Sequence, residues 1–593
     1  MSYRAPVSDI AFTLRHIAGL DGELERGTFG DLSADLVDAV LEEAGRFASE
    51  EIAPLNAPGD KFGTPLRDGA VTMPPGWKEA YAKWIEGGWA SLTGPEDFGG
   101  QALPIALSIA TQEMWNSGSM AYGIGPTLTF GAIEALHTHA SDELKQTYLP
   151  KLVSGEWMGT MNLTEPQAGS DLALLRARAE PRGDGTYSIK GTKIFITYGE
   201  HDLTDNIVHL VLARLPDAPT GTRGISLFLV PKFLVNDDGS LGERNDVWCQ
   251  SVEHKLGIHA SPTCVMAFGD NDGAVGWLVG EENRGLNCMF TMMNNARLSV
   301  GIQGVAIAET AYQQALAYAH ERKQGRVPGM SQDEAVPIVA HPDIKRTLMT
   351  MRALTAAARA ICYETAVATD LAHRSADEAG RKAAQERANL LTPLAKAFST
   401  DIGVEVASMG VQVHGGMGFI EETGAAQHLR DARIAPIYEG TNGIQAIDLV
   451  TRKLSMSGGA AVTAFIGDLR EVVRQVAEAN HPAFGRMGDR LDATIDALER
   501  ATTWMFEALK SNPDHALAGA TPYLRLISLA GGGAALARGA LIAHGLDASP
   551  ANAARIATAR FFAENVCPAA DGLAETVVGG ADTVLDTDAA LAS

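Results

Sequence analysis

The chain has 593 residues, 46% hydrophobic and 20% charged, enough for about four domains at roughly 150 residues each. Its 48 Lys and Arg against 72 Asp and Glu leave a net charge of −24, which argues against a protein that tracks nucleic-acid phosphates. Five cysteines without paired spacing (Cys249, Cys264, Cys288, Cys362, Cys567) indicate neither a disulfide framework nor a zinc site.

The opening Met1-Ser-Tyr-Arg-Ala-Pro6 lacks the basic-then-apolar order of a signal peptide, and no stretch of about 18 uncharged apolar residues follows. A cytoplasmic chain without a membrane span is expected. From Asp31 to about Met158 the pattern is helical, with segments such as Leu36 to Ile52 and Ile105 to Trp115 broken by Gly and Pro. Ser141-Asp-Glu143 ahead of Leu144 to Leu149 predicts a capped helix, because a Ser oxygen can accept from an orphan backbone N–H.

From about Gly159 to Gly280 the residues become β-branched and aromatic. Tyr187 to Lys190, Lys193 to Thr197, Ile207 to Ala213 and Ile225 to Val230 predict strands, with turns at Gly183-Asp-Gly185 and Asp237-Asp-Gly239. This block reads as a small antiparallel β domain. After Gly285 long helices return: Leu286 to Arg322, Ile344 to His373 and Asp377 to about Val413 carry apolar residues at three-to-four spacing. With Thr441 to Leu454 they predict a bundle. Ser455 to Gly459 reads as a linker, and the rest as an Ala-rich helical block broken at Gly531-Gly-Gly533. The expected fold is α+β, mainly α, with domains at 1–158, 159–282, 283–454 and 460–593.

No G-x-G-x-x-G follows a strand, and the P-loop, H-E-x-x-H and G-x-S-x-G patterns are missing. Their usual enzyme classes therefore lose sequence support. What stands out is four segments in order. They are Asn162-Leu-Thr-Glu-Pro-Gln-Ala-Gly-Ser-Asp171, then Lys193-Ile-Phe-Ile-Thr-Tyr198, then Glu321-Arg-Lys-Gln-Gly325 with Gln412-Val-His-Gly-Gly-Met-Gly418, and last Arg430-Asp431 with Ile437-Tyr-Glu-Gly-Thr441. Taken singly they are bland. A Glu near a helix start is a dipole partner or cap, and a Gly-rich turn after a helix is a C-cap.

Together, from about Asp31 to Arg452, they resemble the acyl-CoA dehydrogenase family. The resemblance implies FAD-dependent α,β-dehydrogenation of an acyl-CoA thioester to the trans-2-enoyl-CoA. Glu439 would be the base that removes the α-proton, which needs a carboxylate in a site dry enough to raise its basicity. A second subgroup of the family places its base just before an Arg on the long helix. That position is Ala296 here, which cannot take a proton.

By the same resemblance Leu163, Thr164, Ser170, Phe195 and Thr197 hold the flavin and its pyrophosphate, Phe195 standing where the family usually has Trp. Arg322 and Gln324 would reach the FAD of a neighbouring subunit, with Gln412 and Gly416 in the receiving loop. Thr441 is a further FAD contact, and Gly443 replaces a frequent Gln. Tyr438, Arg297 and Asn294 are the candidates for the acyl-CoA side. The bland alternatives are a cation at a helix C-terminus for Arg322 and core packing or a helix-to-helix salt bridge for Arg297.

The start of the chain, Arg322 to Gly329, Gly440 to Gln445 and the extra C-terminal block resemble a large bacterial subgroup. Its members act on 3-methylthiopropanoyl-CoA, the preferred expectation, or on fatty acyl-CoA. Electrons would pass to an electron-transferring flavoprotein. An acyl-CoA oxidase and a non-catalytic acyl-CoA binder are the alternatives. The added block would cover the tetramer face of shorter relatives, so a homodimer is expected, and its lack of a basic amphipathic face predicts no membrane attachment.

Overall fold

The computed structural model describes residues 3–328 and 335–592, apart from the side chain of Asn294. Helix α1 (Ala34–Phe47) opens on Ser33, whose hydroxyl accepts from Leu36 N at 3.2 Å, and buries Val37, Leu41, Ala44 and Phe47 along one stripe. Helices α2 (Ile105–Gly118) and α3 (Met120–His139) are buried on nearly every face. Helix α4 (Asp142–Ser154) is capped as its sequence predicts: Ser141 Oγ accepts from Leu144 N, and Gly155 closes it at φ +80°.

The chain then enters an eight-stranded sheet. Its strands are β1 (Trp157–Asn162), β2 (Arg178–Pro181), β3 (Tyr187–Thr197), β4 (Asn206–Ala213), β5 (Ser226–Pro231), β6 (Val247–Val252), β7 (Thr263–Phe268) and β8 (Ala274–Val279). The order across the sheet is β6-β7-β3-β8-β5-β4-β1, with β2 on β3. All pairs are antiparallel except β1 with β4. That parallel edge arises because β1 arrives from the helical domain and not from a hairpin. The two strands expected between 187 and 197 are one strand, β3, whose pairing with β7 shifts register between Cys264 and Met266.

Three long helices follow: α5 (Gly285–Glu321), α6 (Pro342–Arg374) and α7 (Glu378–His414). Helices α5 and α7 run side by side at glycine distance. A Cβ on Gly304 would lie 2.2 Å from Ser399 O, and one on Gly301 2.4 Å from Ala395 O. Short helices α8 (Ala425–Ala432) and α9 (Asn442–Asp448) complete the bundle. The C-terminal block packs α10 (Ala460–Ala479), α11 (Met487–Ser511), α12 (Ala520–Gly545) and α13 (Pro550–Phe561) onto it.

The expected break at Gly531-Gly-Gly533 is absent, since all three glycines lie buried inside α12. They are there for close packing: a Cβ on Gly532 would meet Ala357 Cβ at 2.9 Å, and one on Gly533 Leu491 Cδ2 at 2.6 Å. Among the described residues α12 alone is long and apolar enough to cross a membrane, and 83% of its apolar window is buried against the rest of the fold.

Three polar ties lock the parts together. Asp370 on α6 accepts from Ile105 N and Ala106 N, both at 2.8 Å, and so caps α2 from 264 residues away. Asp431 accepts from Ile258 N at 2.5 Å, joining bundle to sheet. Arg430 bridges Asp60 and Glu421 at 2.7 and 2.9 Å.

Candidate active site

The loop Leu163–Asp171 leaves the end of β1 and is held by a buried ion pair. Lys193 Nζ lies 2.9 Å from Glu165 Oε1 and 3.0 Å from Leu163 O, with both side chains almost fully excluded from solvent. Glu165 also accepts from Arg176 N and Ala177 N at 2.7 and 2.9 Å. Burial pushes the Glu165 carboxyl up, but Lys193 and the two amides outweigh it and leave it below the usual range. Burial brings Lys193 down to about 8, against the pull of Glu165. Thr164 O accepts from Ile194 N at 2.9 Å, and Thr197 O from Thr160 Oγ1 at 2.7 Å, so loop and strand form one edge.

On that edge Phe195 is 59% exposed and sits at φ +60°. The register shift in β3 turns its ring out of the sheet.

The second element is the loop between α8 and α9. Glu439 sits at φ +55° and Gly440 at +83°. A non-glycine residue there costs on the order of 1–3 kcal/mol, a strain that clusters at functional sites. Gln445 Nε2 reaches Glu439 O at 3.4 Å, Thr441 Oγ1 caps α9 by accepting from Ile444 N at 3.3 Å, and Tyr438 donates its hydroxyl to Gln303 Oε1. Burial raises the Glu439 carboxyl above its ordinary value, against the attraction of Arg297 and then Lys396. A carboxylate so placed is a base with added proton affinity.

Comparison with known proteins now decides the family. Residues 36–156, 160–271 and 283–454 match the models of the acyl-CoA dehydrogenase N-terminal, middle and C-terminal domains, and 463–588 matches an acetyl-CoA dehydrogenase C-terminal-like model. The chain is 49% identical over 571 residues to a 3-methylmercaptopropionyl-CoA dehydrogenase of Ruegeria pomeroyi, covering 95% of this chain and 96% of the relative. It is 35% identical to a butyryl-CoA dehydrogenase of Syntrophomonas wolfei, covering 96% of each. A solved acyl-CoA dehydrogenase from Bacillus anthracis, complexed with FAD, superposes with a TM-score of 0.75 at 21% identity over 93% of this chain and 89% of that one. The chain belongs to the acyl-CoA dehydrogenase family.

It is thus an FAD-dependent acyl-CoA dehydrogenase. The residues fit that cofactor. Phe195 offers an exposed aromatic face beside Thr164 and Thr197, whose carbonyl oxygens are anchored within the chain. Ser170 is exposed, and a Cβ on its neighbour Gly169 would meet nothing within 4 Å, so the loop is open for a phosphate. Leu163 and Thr164 are partly buried at the same edge.

Not all of the site residues expected of this acyl-CoA dehydrogenase lie together. Arg322, Gln324, Gln412 and Gly416 are exposed at the far end of the bundle, where Tyr318 of α5 stacks on His414 of α7 at 4.5 Å. Along α7, Gln412 is about 24 Å from Lys396, which contacts the start of α9. Arg297 is buried, with Nη1 3.8 Å from Asp448 Oδ2, and stands as an interior charge beside Glu439. The side chain of Asn294 lies outside the described residues.

Sequence reading missed Lys193, Glu165, Gln303, Lys396 and Asp448. The first two stand inside quoted motifs and are the ones a search for buried charge partners would have found.

Proposed function

We propose that the protein dehydrogenates 3-methylthiopropanoyl-CoA to its trans-2-enoyl-CoA, with Glu439 as the α-proton base. Bound FAD supplies the acceptor for the hydride that leaves the β-carbon. The observation that carries the substrate reading is the 49% identity to the Ruegeria pomeroyi enzyme along nearly the whole chain, against 35% to the butyryl-CoA relative. The strained, partly buried Glu439 supports its role, because backbone strain and a raised pKa coincide on one carboxyl. Ala296 leaves the alternative base position empty of a proton acceptor. Tyr438 would line the acyl side while bound to Gln303.

The proposal includes a homodimer. Arg322, Gln324, Gln412 and Gly416 are exposed together where α5 and α7 end, so they would be free to serve the FAD of a second copy. An electron-transferring flavoprotein would reoxidise the enzyme. Five buried, unpaired cysteines fit a reducing, cytoplasmic compartment.

Anaerobic titration of the yellow protein with 3-methylthiopropanoyl-CoA, butyryl-CoA and octanoyl-CoA tests the substrate. The thioether substrate should bleach the flavin fastest; faster bleaching by butyryl-CoA would reassign it. Glu439→Gln should slow bleaching by at least about 10²–10⁴-fold. Peroxide formed at the turnover rate under air would instead mark an oxidase.

A further inference from the structure

Lys396 lies in the middle of α7 with its side chain wholly buried, and its Nζ donates to Asn442 Oδ1 at 2.9 Å. Asn442 spends its amide nitrogen on Asp401 Oδ1 at 2.7 Å and Ala397 O at 3.1 Å. The orientation of the amide is therefore fixed by its neighbours. Asn442 is the first residue of α9, three after Glu439, so this contact ties a buried cation to the loop that carries the carboxylate.

Charges from each packed element face this region. From α5, Arg297 is held by Asp448 at 3.8 Å. From α9 and the turn after it, Asp448 also takes Arg452 and, at 4.0 Å, Lys453. From α7, Lys396 faces Asp401 on its own helix and Glu439 across the loop. Tyr438, next to Glu439, has its hydroxyl committed to Gln303. Arg297 shares Asp448 as counter-ion with Arg452 and Lys453, and it attracts Glu439 more strongly than Lys396 does. Lys396 makes no ion pair among the described residues, and a buried ammonium in that position needs a carboxylate nearby.

We propose that Lys396 is a positioning residue for Glu439: its ammonium, anchored through Asn442, keeps the carboxyl ionised in the dry site and sets the pH at which proton abstraction begins. This rests on Glu439 being the base. Burial lowers Lys396 to about 7, while Glu439 and Asp401 hold it up. The direction of the effect follows. Without the cation nearby, Glu439 stays protonated to higher pH.

The test compares Lys396→Gln, which keeps a donor for Asn442 but loses the charge, with Lys396→Arg, which keeps the charge. Both are studied as FAD-loaded full-length enzymes. Anaerobic flavin reduction is followed across pH, and the Glu439 carboxyl is titrated by infrared difference spectroscopy, its band identified by loss in Glu439→Gln. In Lys396→Gln the acid limb and the infrared titration should both move up by about one unit, a roughly tenfold loss of rate on the acid side. The alkaline plateau should stay near wild type, and Lys396→Arg should leave the limb in place.

A uniform fall at every pH, or matching profiles for Gln and Arg, overturns the proposal. If Lys396→Gln does not fold, Asp401→Asn takes its place. It removes an anion that holds the ammonium charged, so a smaller upward move is expected and no move overturns the proposal. Should Glu439→Gln still reduce its flavin, the base assignment fails, while the infrared shift judges the Lys396 link separately.

Discussion

Replacing Lys193 by Met would break the buried pair that holds the flavin-edge loop. Lys193 is fully buried and Glu165 only 4% exposed, so solvent cannot compensate the carboxylate left behind. Breaking one partner of such a pair costs about 3–5 kcal/mol. The two amide hydrogen bonds from Arg176 and Ala177 remain and keep the cost toward the lower end. Leu163 O also loses its donor. Adding Glu165→Gln removes the stranded charge, so the double variant should recover most of the loss, with a coupling inside the 0.5–3 kcal/mol span of contacting residues, near about 2 kcal/mol.

A global melting curve averages several domains, so the assay should be local. Hydrogen exchange at the Arg176 and Ala177 amides, with flavin content after purification, reads the loop directly. Exchange should quicken and flavin content fall in Lys193→Met, and both should partly return in the double variant. Unchanged exchange and full flavin content in the single variant would refute the reasoning.

Three further outcomes follow from the packing and the charges. Gly304→Ala would place a methyl 2.2 Å from Ser399 O and force α5 from α7, costing about 1–3 kcal/mol or more; a chemical-denaturation midpoint equal to wild type would contradict this. Phe195→Ala should leave stability nearly unchanged, since the ring is exposed, yet weaken flavin binding by about 2–10-fold, the value of one aromatic contact of about 0.5–1.5 kcal/mol; flavin titration of the apoprotein measures it. Burial raises Asp370 from 3.8 to about 6, so its proton-linked contribution is present in acid and lost as pH rises through about 6. Asp370→Asn should therefore flatten wild-type stability between about pH 4 and 6 while leaving one of Ile105 N and Ala106 N unsatisfied, at about 1–3 kcal/mol; urea titrations at pH 5 and pH 7 check the difference.

Much of the architecture was legible because it depends on local pattern. Ser141 caps the helix it precedes, and the helix-to-sheet-to-helix succession follows the change of period along the chain. Gly531-Gly-Gly533 misled because glycine serves both breaks and close contacts. Only the facing Ala357 and Leu491 show which applies. The parallel β1–β4 edge was hidden for a similar reason, since alternation along a strand does not state its neighbour's direction. Ile105 follows Pro104 with no capping side chain before it, and its cap arrives from Asp370.

The sequence by itself carried the family resemblance that singles out Glu439 and Phe195 as candidates, because each motif is a run of neighbours and needs no folding to be read. The tertiary structure alone decided what surrounds those groups: Lys193 on Glu165, Lys396 on Asn442, Arg297 turned inward to Asp448, and Arg322 stranded with Gln412 at the opposite end of the bundle. The reason is that an ionisable group answers to whatever lies within a few ångströms in a low-dielectric interior, and those neighbours come from residues 28 to 151 positions away in the chain.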